Sequence, residues 1–180
     1  MIGDRPLLWH VMRYYAFHGH TDFVLCLGYG AAAVKEYFLR YDETQSNDFT
    51  LAGGGREIQL FSTDITDWKI TFIDTGLHAT IGERLLRVRQ HVQDEEIFLA
   101  NYGDTLTDAP LPELIDRFAA SKAAVSMLAV PPVSTHHVVD MDESGTVHRI
   151  RLLSDLMQWE NGGYFVMRPT IFHGIWSESS

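Results

Sequence analysis

A chain of 180 residues is long enough for one domain with a substantial core, and 46% hydrophobic and 21% charged residues are typical of globular proteins. The formal net charge is −10 and no run of Lys or Arg occurs. This charge argues against nucleic acid or an anionic membrane as a partner, because both bind a clustered positive field. A phosphorylated ligand stays compatible with it, because one local anion site can exist on an acidic protein.

The single cysteine, Cys26, lies in the apolar run 23–27 and is predicted to be a buried thiol. One cysteine cannot form an internal disulfide or a multi-cysteine zinc site. No apolar stretch approaches the length of a membrane span, and no signal peptide opens the chain. We therefore expect a cytoplasmic protein.

The first half of the chain alternates predicted helices with predicted strands. Hydrophobic spacing predicts helices over 5–18, 31–41 and 81–92, and strands over 22–27, 57–62 and 69–73. The segment 42–55 is polar and rich in Gly, and is predicted to be mainly loop with a short strand near 49–51. The strand 22–27 is apolar throughout and is typical of a buried parallel strand.

The second half continues this alternation. It contains predicted strands at 96–100, 123–130, 138–141, 146–151 and 163–167, and predicted helices at 111–120 and from Pro169 onward. The apolar run 123–130 is predicted to be a central strand, and Asp142–Gly145 a hairpin turn. The pattern indicates an α/β fold, and without repeats or linkers we expect residues 1–180 to form a single domain.

The segment Asn101-Tyr102-Gly103-Asp104 follows a predicted buried strand. Open α/β sheets bind ligands at this end of their strands, and a carboxylate such as Asp104 is suited to hold Mg²⁺ on a nucleotide phosphate. The alternative is that Asp104 caps the next element or closes a turn.

Asp74-Thr75-Gly76 repeats this arrangement, and Gly82-Glu83-Arg84 begins the next predicted helix. Backbone N–H groups at a helix start, together with one Arg, can bind a phosphate or a base. The alternative is that Arg84 is a solvated helix charge and that Glu83 lies in the first turn for its interaction with the helix dipole.

Glu160-Asn161-Gly162-Gly163-Tyr164 precedes the last predicted strand. Paired glycines let a sugar approach the main chain, while Asn161 and Glu160 can bond its hydroxyls. An Asn-Gly-Gly run is equally compatible with a plain turn.

Other polar motifs are given structural interpretations. His18-Gly19-His20 is expected to end a helix, and the side chains of His136-His137 would diverge on a strand, so zinc is not expected. Gly53-Gly54-Gly55 lacks the Lys-Ser/Thr of a P-loop. No Gly-x-Ser-x-Gly nucleophile elbow is present.

Taken in order, these segments resemble the sugar-1-phosphate nucleotidyltransferases, and among them the glucose-1-phosphate cytidylyltransferases. The resemblance covers nearly the whole chain. It rests on Ile2–His10, Gly28-Tyr29-Gly30, Val34–Phe38, Asp74-Thr75-Gly76, Gly82-Glu83-Arg84-Leu85, Asn101–Asp104 and Asn161–Phe165.

The resemblance implies a Rossmann-like nucleotidyltransferase fold with a mixed, mostly parallel central sheet, and a Mg²⁺-dependent reaction of a sugar 1-phosphate with a nucleoside triphosphate. Glucose 1-phosphate and CTP are the implied substrates. By resemblance, Asp104 and Arg84 are the catalytic residues and Asp104 the metal ligand. The implied nucleotide contacts are Thr75, Gly76, Gly82, Arg84, Tyr102 and Gly103, and the implied sugar contacts are Glu160, Asn161 and Gly162.

The sequence also departs from the family pattern. The similarity starts past the family's first strand and glycine-rich loop and stops short of its C-terminal region, so we expect a truncated member. No lysine occurs around 151–154, where the family has a Glu-Lys pair, and Glu83 replaces a glycine beside the nucleotide site. A missing first strand would expose a sheet edge, which can pair with another chain, so a homo-oligomer is an open expectation.

Two alternatives to an active transferase stay open at this point. One is a catalytically inactive nucleotide- or sugar-phosphate-binding relic of the same fold. The other is a glycosyltransferase-like domain, for which Asp140-Met141-Asp142 has the letters of an Asp-x-Asp metal motif, although it runs into the predicted hairpin turn.

Overall fold

The computed structural model describes residues 2–132, 137–153 and 158–175. The chain divides into two compact units. Unit 1 comprises Met1–Leu8 and Glu95–Ile171, and unit 2 comprises Trp9–Asp94 and Phe172–Ser180. Within the described ranges, no helix is both long and apolar enough to cross a bilayer.

Unit 2 is built around a pair of parallel strands flanked by helices. Its elements are α1 (Leu7–Phe17, which begins in unit 1), β1 (Asp22–Leu27), α2 (Ala31–Leu39), β2 (Phe49–Ala52), β3 (Glu57–Leu60), β4 (Lys69–Asp74) and α3 (Ile81–Val88). Strands β1 and β4 pair in parallel from Asp22↔Lys69 to Leu27↔Asp74. Both carboxyl ends therefore lie side by side, with Gly28 following one and Thr75 the other.

The core of unit 2 is apolar and aromatic. Its buried side chains include Val11, Met12, Tyr15, Leu27, Val88 and Phe172. The ring of Trp68 packs against Phe23, with ring centroids 5.1 Å apart. The apolar face that the sequence predicts for α1 supplies three of these buried residues, in agreement with its helical spacing.

Helix α1 ends where the His18-Gly19-His20 segment was expected to end it. The carbonyl of Tyr15 accepts hydrogen bonds from the backbone N–H groups of His18 (3.0 Å) and His20 (3.1 Å). Gly19 has φ +87°, the left-handed conformation that helix C-termini favour. Burial, followed by the neighbouring His18, lowers the pKa of His20.

Strands β2 and β3 form an antiparallel hairpin whose tip holds Gly53, Gly54 and Gly55, all at positive φ. The short strand expected near 49–51 is thus confirmed. The second strand ends at Leu60, two residues earlier than predicted. The predicted helix over 81–92 is also shorter, because its last turn is a 3₁₀-helix at Arg89–His91.

Unit 1 contains β5 (Phe98–Asn101), α4 (Leu111–Ala119), β6 (Val125–Val130), β7 (His137–Met141), β8 (Val147–Leu152) and β9 (Glu160–Met167), and α5 (Ile171–Ile175) follows. Strand β9 lies between β5 and β6 and is antiparallel to both. Strands β7 and β8 form the predicted hairpin around Asp142–Gly145.

Two strand predictions in unit 1 are corrected. The run 123–130 was expected to be a central strand, but β6 lies at the edge of the described sheet because β9 occupies the central position, and most β6 residues are exposed. Strand β9 starts at Glu160 rather than Gly163, because Glu160 and Asn161 pair with Val130 and Ala129. The Glu160–Gly162 segment is therefore part of a strand.

The α/β class and the mixed pairing are confirmed. Among the described pairs of strands only β1–β4 is parallel, a smaller parallel share than the sequence predicts. The reason is that β9 runs antiparallel between its two neighbours. The apolar character of β5 and β9 predicts burial but not strand direction, since both pairings bury alternate side chains.

Candidate functional site

The residue after β4, Thr75, is fully buried and joins the ends of the two parallel strands. Its backbone N–H and its hydroxyl each donate a 2.8 Å hydrogen bond to the carbonyl of Leu27, the last residue of β1. Its exposed fraction is 0%, so its side chain presents no surface to a ligand in this conformation. Thr75 therefore supports the residues around the predicted nucleotide site through its hydrogen bonds and does not line that site itself.

Arg84, near the start of α3, donates hydrogen bonds to the residues at the carboxyl ends of both strands. Its Nη1 donates to the Thr75 hydroxyl at 2.6 Å and to the Cys26 carbonyl at 3.5 Å. Its Nη2 donates to the Gly76 carbonyl at 3.2 Å, and its Nε to the Ala79 carbonyl at 3.1 Å. The guanidinium is half-buried, so Arg84 is not the solvated helix charge considered above. Most of its five N–H donors are used within the protein.

This arrangement explains the glycine that follows β1. A Cβ on Gly28 would lie 2.8 Å from Nη2 of Arg84 and 2.9 Å from the Gly76 carbonyl oxygen, closer than carbon atoms approach such groups. The Arg84 guanidinium thus fills the space beside the backbone of Gly28. Burial raises the pKa of the neighbouring Cys26 thiol, and the charge of Arg84 offsets part of this rise. Cys26 therefore stays a protonated thiol at neutral pH.

Glu83 belongs to the start of α3. The Thr80 hydroxyl accepts from the Glu83 N–H at 3.3 Å, and the Glu83 carboxylate accepts from the Thr80 N–H at 2.6 Å, which together form a capping box. These bonds from Thr80 lower the pKa of Glu83. The interpretation of Glu83 as a first-turn helix residue is confirmed, and Gly82 lies beside it in the same turn.

A residue that the sequence analysis missed is Arg87, one turn further along α3. Its Nη1 lies 3.5 Å from the position that a Cβ on Gly76 would occupy, so its guanidinium lies over the Gly76 backbone. The side chain is exposed. Its only signal in the sequence is an i, i+3 spacing from Arg84, which places both arginines on one face of the helix.

In unit 1, the turn after β5 is held by Asn101. Its side-chain oxygen accepts from the Gly103 N–H at 2.5 Å, and its Nδ2 donates to the Gly163 carbonyl at 3.0 Å. Gly103 has φ +84°, which favours glycine, and a Cβ there would lie 3.5 Å from Leu8. Asn101 therefore closes this turn and links it to β9. The alternative considered above, that Asp104 closes a turn here, does not hold, because Asn101 does so.

One predicted nucleotide contact of unit 1, Tyr102, and one predicted sugar contact, Asn161, are brought together. Nδ2 of Asn161 donates to the Tyr102 hydroxyl at 2.8 Å, and Oδ1 of Asn161 accepts from the Gly163 N–H at 2.9 Å. The Tyr102 ring packs against Phe165 with centroids 5.3 Å apart and is 45% exposed. One amide hydrogen and one lone pair of Asn161 remain for a ligand.

Neighbouring atoms leave little room for a side chain at either glycine of this segment. A Cβ on Gly162 would lie 3.0 Å from the Leu128 carbonyl oxygen, and one on Gly163, at φ +77°, would lie 3.2 Å from Tyr102. The β6–β9 register shifts at this point, between Met127 and Ala129. The segment is thus a bulged strand, and Glu160 lies exposed at its start.

Asp104 follows this turn with its carboxylate exposed. It accepts a 3.3 Å hydrogen bond from the Thr105 hydroxyl. It does not cap α4, whose preceding residue is Pro110. Mg²⁺ in nucleotide sites is commonly held by one or two carboxylates together with phosphate oxygens and water, so a single accessible Asp fits this donor set. Among the described residues, no group of three or more His, Cys, Asp or Glu is placed to hold a metal.

The Asp140-Met141-Asp142 motif lies in the β7–β8 hairpin, and both of its carboxylates bond residues of that hairpin. The Asp140 carboxylate pairs with Arg151 at 2.8 Å. The Asp142 carboxylate accepts from Ser144, Thr146 and His148. Both acids therefore have structural partners, which removes the observation behind the glycosyltransferase-like alternative. Of the His136-His137 pair, His136 lies outside the described residues.

Comparison with known proteins agrees with this picture. The chain is 36% identical over 172 residues to a probable glucose-1-phosphate cytidylyltransferase of Bacillus subtilis (strain 168), with 96% of this chain and 66% of the relative covered. It is 32% identical over 174 residues to the glucose-1-phosphate cytidylyltransferase of Salmonella typhi, covering 94% of this chain and 66% of the relative. No family model matches the sequence.

Among solved structures, UDP-glucose pyrophosphorylase complexed with UDP-glucose superimposes with a TM-score of 0.58 at 14% identity, over 98% of this chain and 69% of that one. The fold is therefore that of the nucleotidyltransferases. By sequence the chain is similar to glucose-1-phosphate cytidylyltransferases, which agrees with the resemblance to the sugar-1-phosphate nucleotidyltransferases described above. It spans just under two thirds of their length.

Proposed function

We propose that this chain transfers a nucleotidyl group from a nucleoside triphosphate, CTP, to a sugar 1-phosphate, glucose 1-phosphate, forming a nucleoside-diphosphate sugar and pyrophosphate. The observation that carries the proposal is the 32–36% identity to glucose-1-phosphate cytidylyltransferases over nearly the whole chain. In the reaction, a phosphate oxygen of the sugar 1-phosphate forms a bond to the α-phosphorus. The bond from that phosphorus to the bridging oxygen breaks, and pyrophosphate leaves.

The chain's residues contribute alignment and charge. Arg84 positions the ends of β1 and β4 by its bonds to Thr75, Cys26 and Gly76, which keeps the Gly76 backbone in one conformation. The catalytic role that the resemblance gives Arg84 stays a prediction, and in this proposal it acts by positioning. Preorganised groups of this kind lower the barrier to transfer because they need no rearrangement during the reaction.

In unit 1, the accessible carboxylate of Asp104 is proposed to hold Mg²⁺. When bound, Mg²⁺ would neutralise phosphate charge in the reactants and in the transition state. Asn161 is proposed to contact the sugar, with Gly162 and Gly163 allowing its approach. Tyr102, whose hydroxyl accepts a 2.8 Å hydrogen bond from Asn161, keeps its predicted role as a nucleotide contact. Glu160 offers a carboxylate to sugar hydroxyls from the start of β9.

Three further features belong to the proposal. We place the protein in the cytoplasm, where its nucleoside triphosphate substrate is available and where its lone Cys26 stays reduced. A homo-oligomer is supported by the exposed edge strand β6, since an unpaired edge can add a strand from a second copy. Nucleic acid is not expected as a partner, because the net charge is −10.

The experiment is pyrophosphate release by the chain with Mg²⁺ and glucose 1-phosphate, with CTP, dTTP, UTP and ATP supplied in separate reactions. We expect release with CTP, and a loss of at least about tenfold in Asp104→Asn, since weaker binding of Mg²⁺ forfeits part of the several kcal/mol of transition-state charge stabilisation that a bound metal supplies. Asp108→Asn is the matched control, because Asp108 is an exposed carboxylate of the same loop. Release that is equal in the Asp104→Asn variant would contradict the metal assignment.

The second candidate is a protein of the same fold that binds these ligands without turnover. The observations that favour it are two departures from the family pattern: Glu83 replaces a glycine beside the nucleotide site, and no lysine occurs around 151–154. Calorimetric titration with CTP, with and without glucose 1-phosphate, separates the two candidates. Saturable binding without pyrophosphate release by a folded chain would support the binding protein and overturn the transferase.

A further inference from the structure

We propose that Arg87 is the cation of unit 2 that binds the phosphate chain of the nucleotide, and that Arg84 positions the backbone beneath it. This inference deepens the proposed function and rests on it. It divides between two arginines of α3 a role that the sequence resemblance gives to Arg84 alone. It is carried by the different surroundings of the two guanidinium groups.

The first step concerns the N–H donors of Arg84 that are available to a ligand. Its guanidinium is half-buried, and its Nε, Nη1 and Nη2 all donate to protein oxygens, the shortest bond being 2.6 Å to Thr75. A phosphate that bound Arg84 in the usual two-pronged way would have to displace these bonds. The fully buried Thr75 hydroxyl would then lose the hydrogen bond that Arg84 donates to it, which costs free energy because water does not reach this hydroxyl.

The second step concerns Arg87. Within the described ranges 2–132, 137–153 and 158–175, its guanidinium makes neither a hydrogen bond nor an ion pair. The group is exposed. It lies over Gly76, with Nη1 3.5 Å from where a Cβ of that residue would be. An arginine with all its donors available presents the fork geometry that binds phosphate oxygens in pairs.

The third step concerns the acids nearest in sequence. The carboxylate of Glu83, one turn before Arg87, accepts hydrogen bonds from the N–H and hydroxyl groups of Thr80. Asp74 accepts from the N–H of Gly76 at 2.9 Å. Each carboxylate is thus hydrogen-bonded to another group, and neither forms a salt bridge with Arg87. The Arg87 charge contributes, after the bonds from Thr80, to the lowered pKa of Glu83, while the N–H donors of its guanidinium stay available to an anion.

The fourth step concerns Gly76 itself. Its φ is +86°, a conformation that favours glycine, and its carbonyl is held by Arg84. The absence of a side chain there leaves the face of the backbone open beside the Arg87 guanidinium. A phosphate could therefore approach Arg87 over Gly76, whereas any larger residue at 76 would occupy that space.

The test compares the binding of two probes, CTP with Mg²⁺ and inorganic tripolyphosphate, to the parent chain and to Arg87→Gln by calorimetric titration. We expect Arg87→Gln to weaken both by about tenfold or more, since hydrogen bonds to charged groups are worth about 1.5–3 kcal/mol. Cytidine, which lacks phosphate, should bind both chains equally. Arg87→Lys should fall between them, because it keeps the charge but loses the fork.

The matched control is Arg117→Gln. Arg117 is an exposed arginine in the last turn of α4, as Arg87 is in the last turn of α3, so both substitutions remove the same interaction with a helix dipole. Arg117→Gln should leave both affinities unchanged. The melting temperature of Arg87→Gln should equal that of Arg117→Gln, since both variants lose the same interaction with a helix dipole and no hydrogen bond of the described protein.

The outcomes separate this inference from the proposed function. Unchanged CTP binding by Arg87→Gln would overturn the inference and leave the transferase intact. Tripolyphosphate binding that depends on Arg87, in a chain that does not bind CTP, would support the anion site and count against the transferase. A chain that binds neither probe, or an Arg87→Gln variant that melts several degrees lower than Arg117→Gln, would overturn the inference.

Discussion

Arg84 donates a 2.6 Å hydrogen bond to the hydroxyl of Thr75, and that hydroxyl donates in turn to the carbonyl of Leu27. A helix is thereby linked through one buried hydroxyl to the ends of two parallel strands. The chain Arg84–Thr75–Leu27 satisfies both the acceptor and the donor capacity of a side chain that water does not reach.

The first prediction concerns this hydroxyl. Thr75→Val keeps the shape of the side chain but removes the oxygen, which leaves Nη1 of Arg84 without its shortest bond. We expect a loss of about 1–3 kcal/mol in the free energy of unfolding, measured by urea denaturation. Thr75→Ser, which retains the hydroxyl, should lose less. A valine variant as stable as the parent chain would show that the link contributes nothing.

The second prediction concerns the bond between Asn161 and Tyr102 in unit 1. We expect Tyr102→Phe and Asn161→Ala to be coupled by about 0.5–1.5 kcal/mol in a double-mutant cycle of unfolding free energies, the usual net worth of one hydrogen bond. Tyr29→Phe serves as the control partner, because Tyr29 is 93% exposed. Its combination with Asn161→Ala should be additive, and additivity in the Tyr102 cycle would contradict the bond.

The sequence predicts the local parts of this fold well. Strand β1 is a continuous apolar run bounded by Gly28, and the β7–β8 turn is marked by Asp142–Gly145, so neighbouring residues carry the signal. The edge position of β6 could not be predicted in this way. Its apolar composition indicates a strand, but strand order depends on pairings between residues far apart in the sequence.

The same reasoning applies to the candidate site. The motifs around Thr75, Asp104 and Asn161 were found because each follows or opens a strand beside a glycine. The division of roles between Arg84 and Arg87 could not be predicted, because Arg84 is fixed by partners as far as 58 positions away. Two arginines on one helix face look equivalent in the sequence and differ only in what the folded chain places around them.

The third prediction concerns the bulge of β9. Gly162→Ala would place a Cβ 3.0 Å from the Leu128 carbonyl oxygen and 3.2 Å from its Cγ. The backbone of β6 must shift to admit it, so we expect about 1–3 kcal/mol of destabilisation, the usual cost of an overpacked position. Gly174→Ala is the control, because a Cβ there has nothing within 4 Å. Equal unfolding midpoints for the two variants would refute the packing explanation of Gly162.

The last prediction concerns the pH dependence of the β7–β8 hairpin. The Asp142 carboxylate accepts from the hydroxyl of Ser144 at 2.6 Å, from His148 at 2.8 Å and from backbone N–H groups of the turn. The Ser144 hydroxyl, followed by His148, lowers the pKa of Asp142 from its ordinary 3.8 to about 2. A carboxyl group whose pKa is lower in the folded state binds its proton more readily when unfolded.

The contribution of Asp142 to stability is therefore fully present above its unfolded pKa of 3.8 and is lost as the pH falls through about 2. We expect the urea midpoint of the parent chain to fall more steeply over this window than that of Asp142→Asn, which cannot ionise. Glu143→Gln, at the adjacent exposed carboxylate of the same turn, should keep the steeper slope of the parent chain. If Asp142→Asn has the same slope as the parent, the hydrogen bonds of the turn do not depend on the charge of Asp142.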